Sequence, residues 1–177
     1  MEIEVIEKIQ LCKGSLRIKL EHEDGRVERY EGNNIVVAVG SNYMAELMRG
    51  IIGDPLRVQV DGLRTLAVGT GGIGWDLQNP PAATVTQTSL ENELFRKEFD
   101  NVNYIDTLGN VTLTRTNIID LTTVFNTTQA NGALVEMGLF GGANALLTNN
   151  GSMLNYYTMP VINKVNAILT IIWRLVF

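Results

Sequence analysis

The run from Ala167 to Phe177 constrains this chain most. At the two-residue period of a strand, Leu169, Ile171, Trp173, Leu175 and Phe177 share one face, while Ile168, Thr170, Ile172, Arg174 and Val176 share the other. Both faces are apolar or nearly so. A strand of that kind belongs in the middle of a packed body or at a subunit contact. The run is also far short of the roughly 20 residues that a membrane helix needs.

Other segments carry the same period in a half-solvated form. Leu16, Ile18 and Leu20 alternate with Arg17, Lys19 and Glu21; Glu23-Asp24-Gly25 offers a turn, and Arg26–Glu31 returns as a second strand. This predicts a charged N-terminal hairpin within about residues 1–32. Asn33-Asn34 reads as a turn into a short buried strand, Ile35–Ala38. Ser41 is placed to cap a helix over about Asn42–Ile52, stopped by Gly53-Asp54-Pro55. Leu63–Val68 reads as a strand, and Thr88-Ser89-Leu90-Glu91 has the capping-box pattern of a short helix running through Arg96. After Val111, Thr-rich and β-branched stretches recur between Asn131-Gly132, Gly141-Gly142 and Asn150-Gly151, the spacing of antiparallel strands in a sandwich. The expectation is one all-β domain over residues 1–177, with one or two short helices: an antiparallel β-sandwich, jelly-roll-like.

The distribution of charge bears on function. A net charge of −5 argues against a nucleic-acid partner, which needs a basic face to displace counterions. Residues 1–32 hold 8 acidic and 6 basic side chains, whereas residues 101–177 hold 3 of each, with 12 Asn and 11 Thr. Polar surface without ions is desolvated more cheaply than charged surface, so the second half predicts contact with neighbours. Cys12 stands alone, which excludes an internal disulfide, and Glu2, Glu4 and Glu7 interrupt any secretory apolar stretch. A soluble intracellular product without a membrane partner is the expectation.

No segment assembles chemistry. Gly69-Thr70-Gly71-Gly72-Ile73-Gly74 matches G-x-G-x-x-G after a strand, but a phosphate cradle needs a helix next, and Pro80-Pro81 works against one. A nucleotide-binding enzyme built on that loop is thus a remote alternative, and no cofactor is expected. His22, the sole histidine, sits between Glu21 and Glu23 with no second metal ligand and no matched nucleophile. Glu91, Glu93, Glu98 and Asp100 alternate with Arg96 and Lys97, as on a solvated face. No catalytic or metal residue is assigned. Contact candidates are Ile73, Trp75, Asp76 and Leu77 in the Gly-rich loop, and the aromatic residues Phe140, Tyr156 and Tyr157 in the charge-poor half, since aromatic anchors dominate interfaces.

A series of short blocks runs in order from Asn33. Asn34-Ile35-Val36-Val37 leads through Gly40 to Asn42-Tyr43-Met44-Ala45, followed by Leu66-Ala67-Val68-Gly69-Thr70-Gly71 and by Leu90-Glu91-Asn92-Glu93 with Arg96. Glu136-Met137-Gly138-Leu139-Phe140, Gly151-Ser152-Met153-Leu154, Ile162-Asn163-Lys164 and Leu169-Thr170-Ile171-Ile172-Trp173 complete it. On these blocks the chain resembles a set of small structural proteins of tailed bacteriophages and prophages; the first 32 residues have no counterpart in that resemblance. It implies a β-sandwich virion component, assembled in the bacterial host cytoplasm, with copies of itself and the major capsid protein as partners. Capsid decoration is the expected role, and a tail, baseplate or fibre-attachment component is the alternative. The resemblance carries no catalytic residue, and it makes Val68–Gly71 a strand end and turn.

Overall fold

The computed structural model describes residues 13–37, 40, 63–114, 118–142 and 144–176. Its strands are β1 (Lys13–His22), β2 (Val27–Val36), β3 (Leu63–Gly69), β4 (Glu93–Glu98), β5 (Asn101–Ile105), β6 (Val111–Thr112), β7 (Ile118–Phe125), β8 (Gly132–Gly141), β9 (Ser152–Lys164) and β10 (Ala167–Val176). They form one open antiparallel sheet in the order β4-β3-β8-β9-β2-β1-β10-β7-β5-β6.

The sheet folds over on itself at β2, because that strand serves two partners. Its first part pairs with β1, and only Ile35 and Val36 pair with β9. The layer β4-β3-β8-β9 thereby faces the layer β2-β1-β10-β7-β5-β6 across one core, as in a sandwich. Leu66, Leu134, Met137 and Leu139 from the first layer meet Leu16, Leu121, Leu169 and Trp173 from the second, all buried. Phe95 of β4 and Phe125 of β7 close one side edge-to-face, with ring centres 5.9 Å apart. At Phe99-Asp100 the chain crosses between layers, the Phe99 amide donating to Arg64 and the Asp100 amide to Thr122.

The final run buries one of its two faces, Leu169, Ile171, Trp173 and Leu175, while the other looks outward, with Ile168 exposed and Thr170, Ile172 and Arg174 half-buried. β10 lies between β1 and β7, with Trp173 opposite both Leu16 and Leu121. The N-terminal hairpin also forms as expected, turning at Gly25 with φ 82°. It is no appendage, however, because β1 is an interior strand of its layer, between β2 and β10, and buries Leu16, Ile18 and Leu20.

Three local expectations need correction or fall away. Asn33 and Asn34 do not turn the chain. They stay in register opposite Ser15 and Gly14, because β1 continues to offer backbone partners there. The helix expected through Arg96 is instead a turn followed by β4. The amides of Glu91 and Asn92, which a helix start would leave to a cap, donate to the Glu136 carboxylate from β8. The helix expected over Asn42–Ile52 lies outside the described residues.

The core retains polar groups without partners. Thr123 Oγ1, Trp173 Nε1 and both amide atoms of Asn155 are buried and unbonded among the described residues. Each such group costs about 1–3 kcal/mol of desolvation. Replacing Thr123 by the similarly shaped Val should therefore stabilise the protein by about 1 kcal/mol. Calorimetry should then read a melting point about 2–4 °C higher. A lower melting point would mean that the hydroxyl has a bonding role in the fold.

Candidate functional site

The Gly-rich loop begins where β3 ends, and a buried carboxylate organises its base. Glu136 is 0% exposed. Its Oε1 accepts from the amides of Gly71 (3.1 Å) and Asn92 (2.9 Å), and its Oε2 from the amide of Glu91 (3.0 Å) and the Tyr156 hydroxyl (2.8 Å). Burial, with the Glu136 charge alongside, pushes the Tyr156 phenol far above its usual range, so it stays a donor. This geometry is the reverse of a phosphate cradle. The Gly71 amide already serves an anion, and a second anion would meet Glu136.

Trp75 folds back over the same base. A methyl group built on Gly71, where φ is 76°, would lie 2.6 Å from the indole and from Val135, so glycine is required there. The half-buried indole braces its own loop and offers a neighbour only part of its surface. Further straps hold the loop: Val161 donates to the Leu77 carbonyl at 2.8 Å, Thr158 to Pro81 at 2.8 Å, and Asn92 Nδ2 to Thr70 Oγ1 at 2.7 Å. Asp76 spends its carboxylate on the Gln78 amide. What this base leaves exposed is Ile73, fully, and Leu77 in part.

The aromatic candidates separate. Phe140 and Tyr156 are buried with Ala67 and Met153 on the outer side of the first layer, beneath Leu90 and Ala145, so neither presents surface to a neighbour. Tyr157 packs against the main core, its ring filling the space beside Gly32. Of the sequence-derived candidates, the structure leaves Ile73 and Leu77 as the outward apolar groups.

A second projection was missed from sequence. The β5–β6 hairpin exposes Val102, Tyr104, Leu108, Val111 and Leu113, with Leu113 fully exposed. Its one acid, Asp106, is turned inward on the loop, accepting from the amides of Leu108 (2.9 Å) and Asn110 (2.8 Å). The Asn110 amide is the main cause that holds the Asp106 carboxyl below its ordinary range. The signal was available: alternating Val102 and Tyr104, followed by Asp106 and Gly109 at turn spacing.

The other polar clusters hold loops in place. Arg96 forks onto Glu93 at 2.8 and 2.7 Å, donates to the carbonyls of Ala145 (2.9 Å) and Asn150 (2.6 Å), and lies 3.9 Å above the Phe140 ring. Lys164, fully buried, gives its ammonium to Asn126 O, Gln129 O and Asn131 Oδ1, and desolvation lowers its pKa. Glu98 pairs with Arg64, Asp100 with Lys97, and His22 with Glu28. The carboxylates of residues 91–100 are thus dispersed, and no group of three metal-type side chains forms among the described residues.

No protein-family model, curated protein or solved structure matches this chain.

Proposed function

We propose that the chain is a non-enzymatic structural component of a tailed-bacteriophage particle, a capsid decoration or cement protein that binds the assembled shell. The observation that carries this reading is the pair of exposed apolar projections, Ile73 with Leu77 and the 101–113 hairpin, on a sandwich whose buried ions are spent on holding loops. Preformed loops lose little freedom on docking, so apolar tips contribute most of their burial to binding. A subunit that binds only the assembled shell stabilises it by mass action. The resemblance in the ordered sequence blocks supplies the particle.

The test is reconstitution on particles that lack the protein. Ile73→Asp and Leu108→Asp should each cut occupancy at least tenfold, measured by co-sedimentation, while leaving the melting point of the isolated chain unchanged. About 1 M salt, which screens charges beyond ~3 Å, should strip little of the bound protein. Release by salt, with both variants binding normally, would place the contact on charged surface and sink this assignment. Binding to tails in place of heads would give the tail-component reading.

A further inference from the structure

The edge of β2 is half used. His22 N–H bonds the Arg26 carbonyl at 2.9 Å, which makes the 22/26 pair a narrow, hydrogen-bonded one. Counting along the register, residues 28, 30 and 32 turn their amides and carbonyls toward β1, whereas Val27, Arg29, Glu31 and Asn33 turn theirs away. The same parity takes Ile35 to β9 and the Val37 amide to Leu154 O at 3.2 Å. From Val27 to Asn33 that outward side meets no backbone partner among the described residues.

The side chains along this open edge carry unspent charge. Arg29 and Glu31 are exposed and have no ion-pair partner among the described residues. Arg29 stands opposite Lys19, a like charge already engaged by Glu21, whereas Glu31 stands opposite Arg17 without forming an ion pair with it. Like charges directly opposite are unfavourable, so Arg29 gains from a carboxylate on its open side. Open edges normally invite indiscriminate pairing, and charge restricts which strands can join.

We propose that two copies of this chain pair edge to edge through β2, antiparallel, about a two-fold axis at Tyr30. This goes beyond the shell-binding reading and names a separate surface for self-association. In that register Arg29 of each copy faces Glu31 of the other, and Val27 faces Asn33. All four positions point outward, so each facing pair exchanges two main-chain hydrogen bonds. Shifting by one residue would oppose the two faces of the strand. Shifting the sum by two would put Arg29 on Arg29 or Glu31 on Glu31. The charges therefore select one register, and a two-fold contact of this kind closes at a dimer.

Charge reversal and its swap test the proposal on the purified chain. Sedimentation velocity should show a concentration-dependent dimer. Arg29→Glu and Glu31→Arg should each weaken it at least tenfold, and the double variant Arg29→Glu/Glu31→Arg should return it to within about threefold of the parent. Circular dichroism checks that each variant keeps its fold. Hydrogen exchange should show the amides of residues 27, 29, 31 and 33 slowing with concentration. A chain that stays monomeric overturns the pairing. So does a dimer indifferent to both single reversals, or one that the swap fails to restore; an indifferent dimer leaves self-association intact on another surface. None of these outcomes bears on the reconstitution with Ile73→Asp, so the two readings fail separately.

Discussion

Glu136→Gln should destabilise the protein by about 3 kcal/mol, because a buried donor left without its acceptor costs about 1–3 kcal/mol and more where charge is involved. An ionised carboxylate accepts only, and here its two oxygens face four donors, three backbone amides and the Tyr156 hydroxyl. Glutamine has nearly the same shape but turns an NH₂ group toward two of those donors. Either amide orientation sets donor against donor around a side chain that is itself fully buried. For a chain of this size the loss corresponds to roughly 6–12 °C in melting temperature. Tyr156→Phe removes one donor and should cost about 1 kcal/mol. The double variant should fall short of the sum, since the two groups share one network. A melting point for Glu136→Gln within about 2 °C of the parent would mean that the carboxylate is not what ties the Gly-rich loop and the 91–92 turn to β8.

The second large effect should come from Arg96. Its side chain is 3% exposed and that of Glu93 is 1% exposed. Arg96→Met leaves Glu93 buried with the Asn149 amide at 3.0 Å as its remaining partner, and removing one member of a buried pair costs about 3–5 kcal/mol. Arg96→Lys is the more informative change. It keeps the charge but loses the planar fork that meets both Glu93 oxygens, two loop carbonyls and the face of Phe140 together. An intermediate loss is expected, with faster amide exchange in residues 144–151. A lysine variant indistinguishable from the parent would show that charge alone suffices.

What was legible in sequence follows from where the causes lie. The alternation of β1, β2 and the apolar run of β10 could be read directly, because each strand's burial is set by its own period. β4 could not. Thr88–Glu91 has a local helix-start pattern, and what overrides it is a carboxylate 45 residues away that claims the Glu91 amide. The contact candidates divide the same way. Ile73 is exposed because it sits at a loop tip, a local property. Trp75 is not a free anchor, because two glycines admit its ring, and Phe140 and Tyr156 are roofed by segments around Leu90 and Ala145 that aromatic character alone does not reveal. The apolar hairpin lay within the half expected to make contacts, but its exposure comes from its place at the end of the sheet, beyond the core.

The seating of β1 between β2 and β10 has a consequence for synthesis. Its register joins Lys13 to Val176, so the β1–β10 pairing cannot form until residues 167–176 have left the ribosome. The amphipathic hairpin made first must wait with Leu16, Ile18 and Leu20 uncovered while the rest of the chain is translated, over tens of seconds at the slower rates. Such distant pairing also slows the search itself, toward the millisecond-to-second range of all-β proteins. A cell making many copies at once would hold a pool of unfinished chains with exposed strand edges. Charge along the β2 edge would discourage those waiting hairpins from pairing indiscriminately.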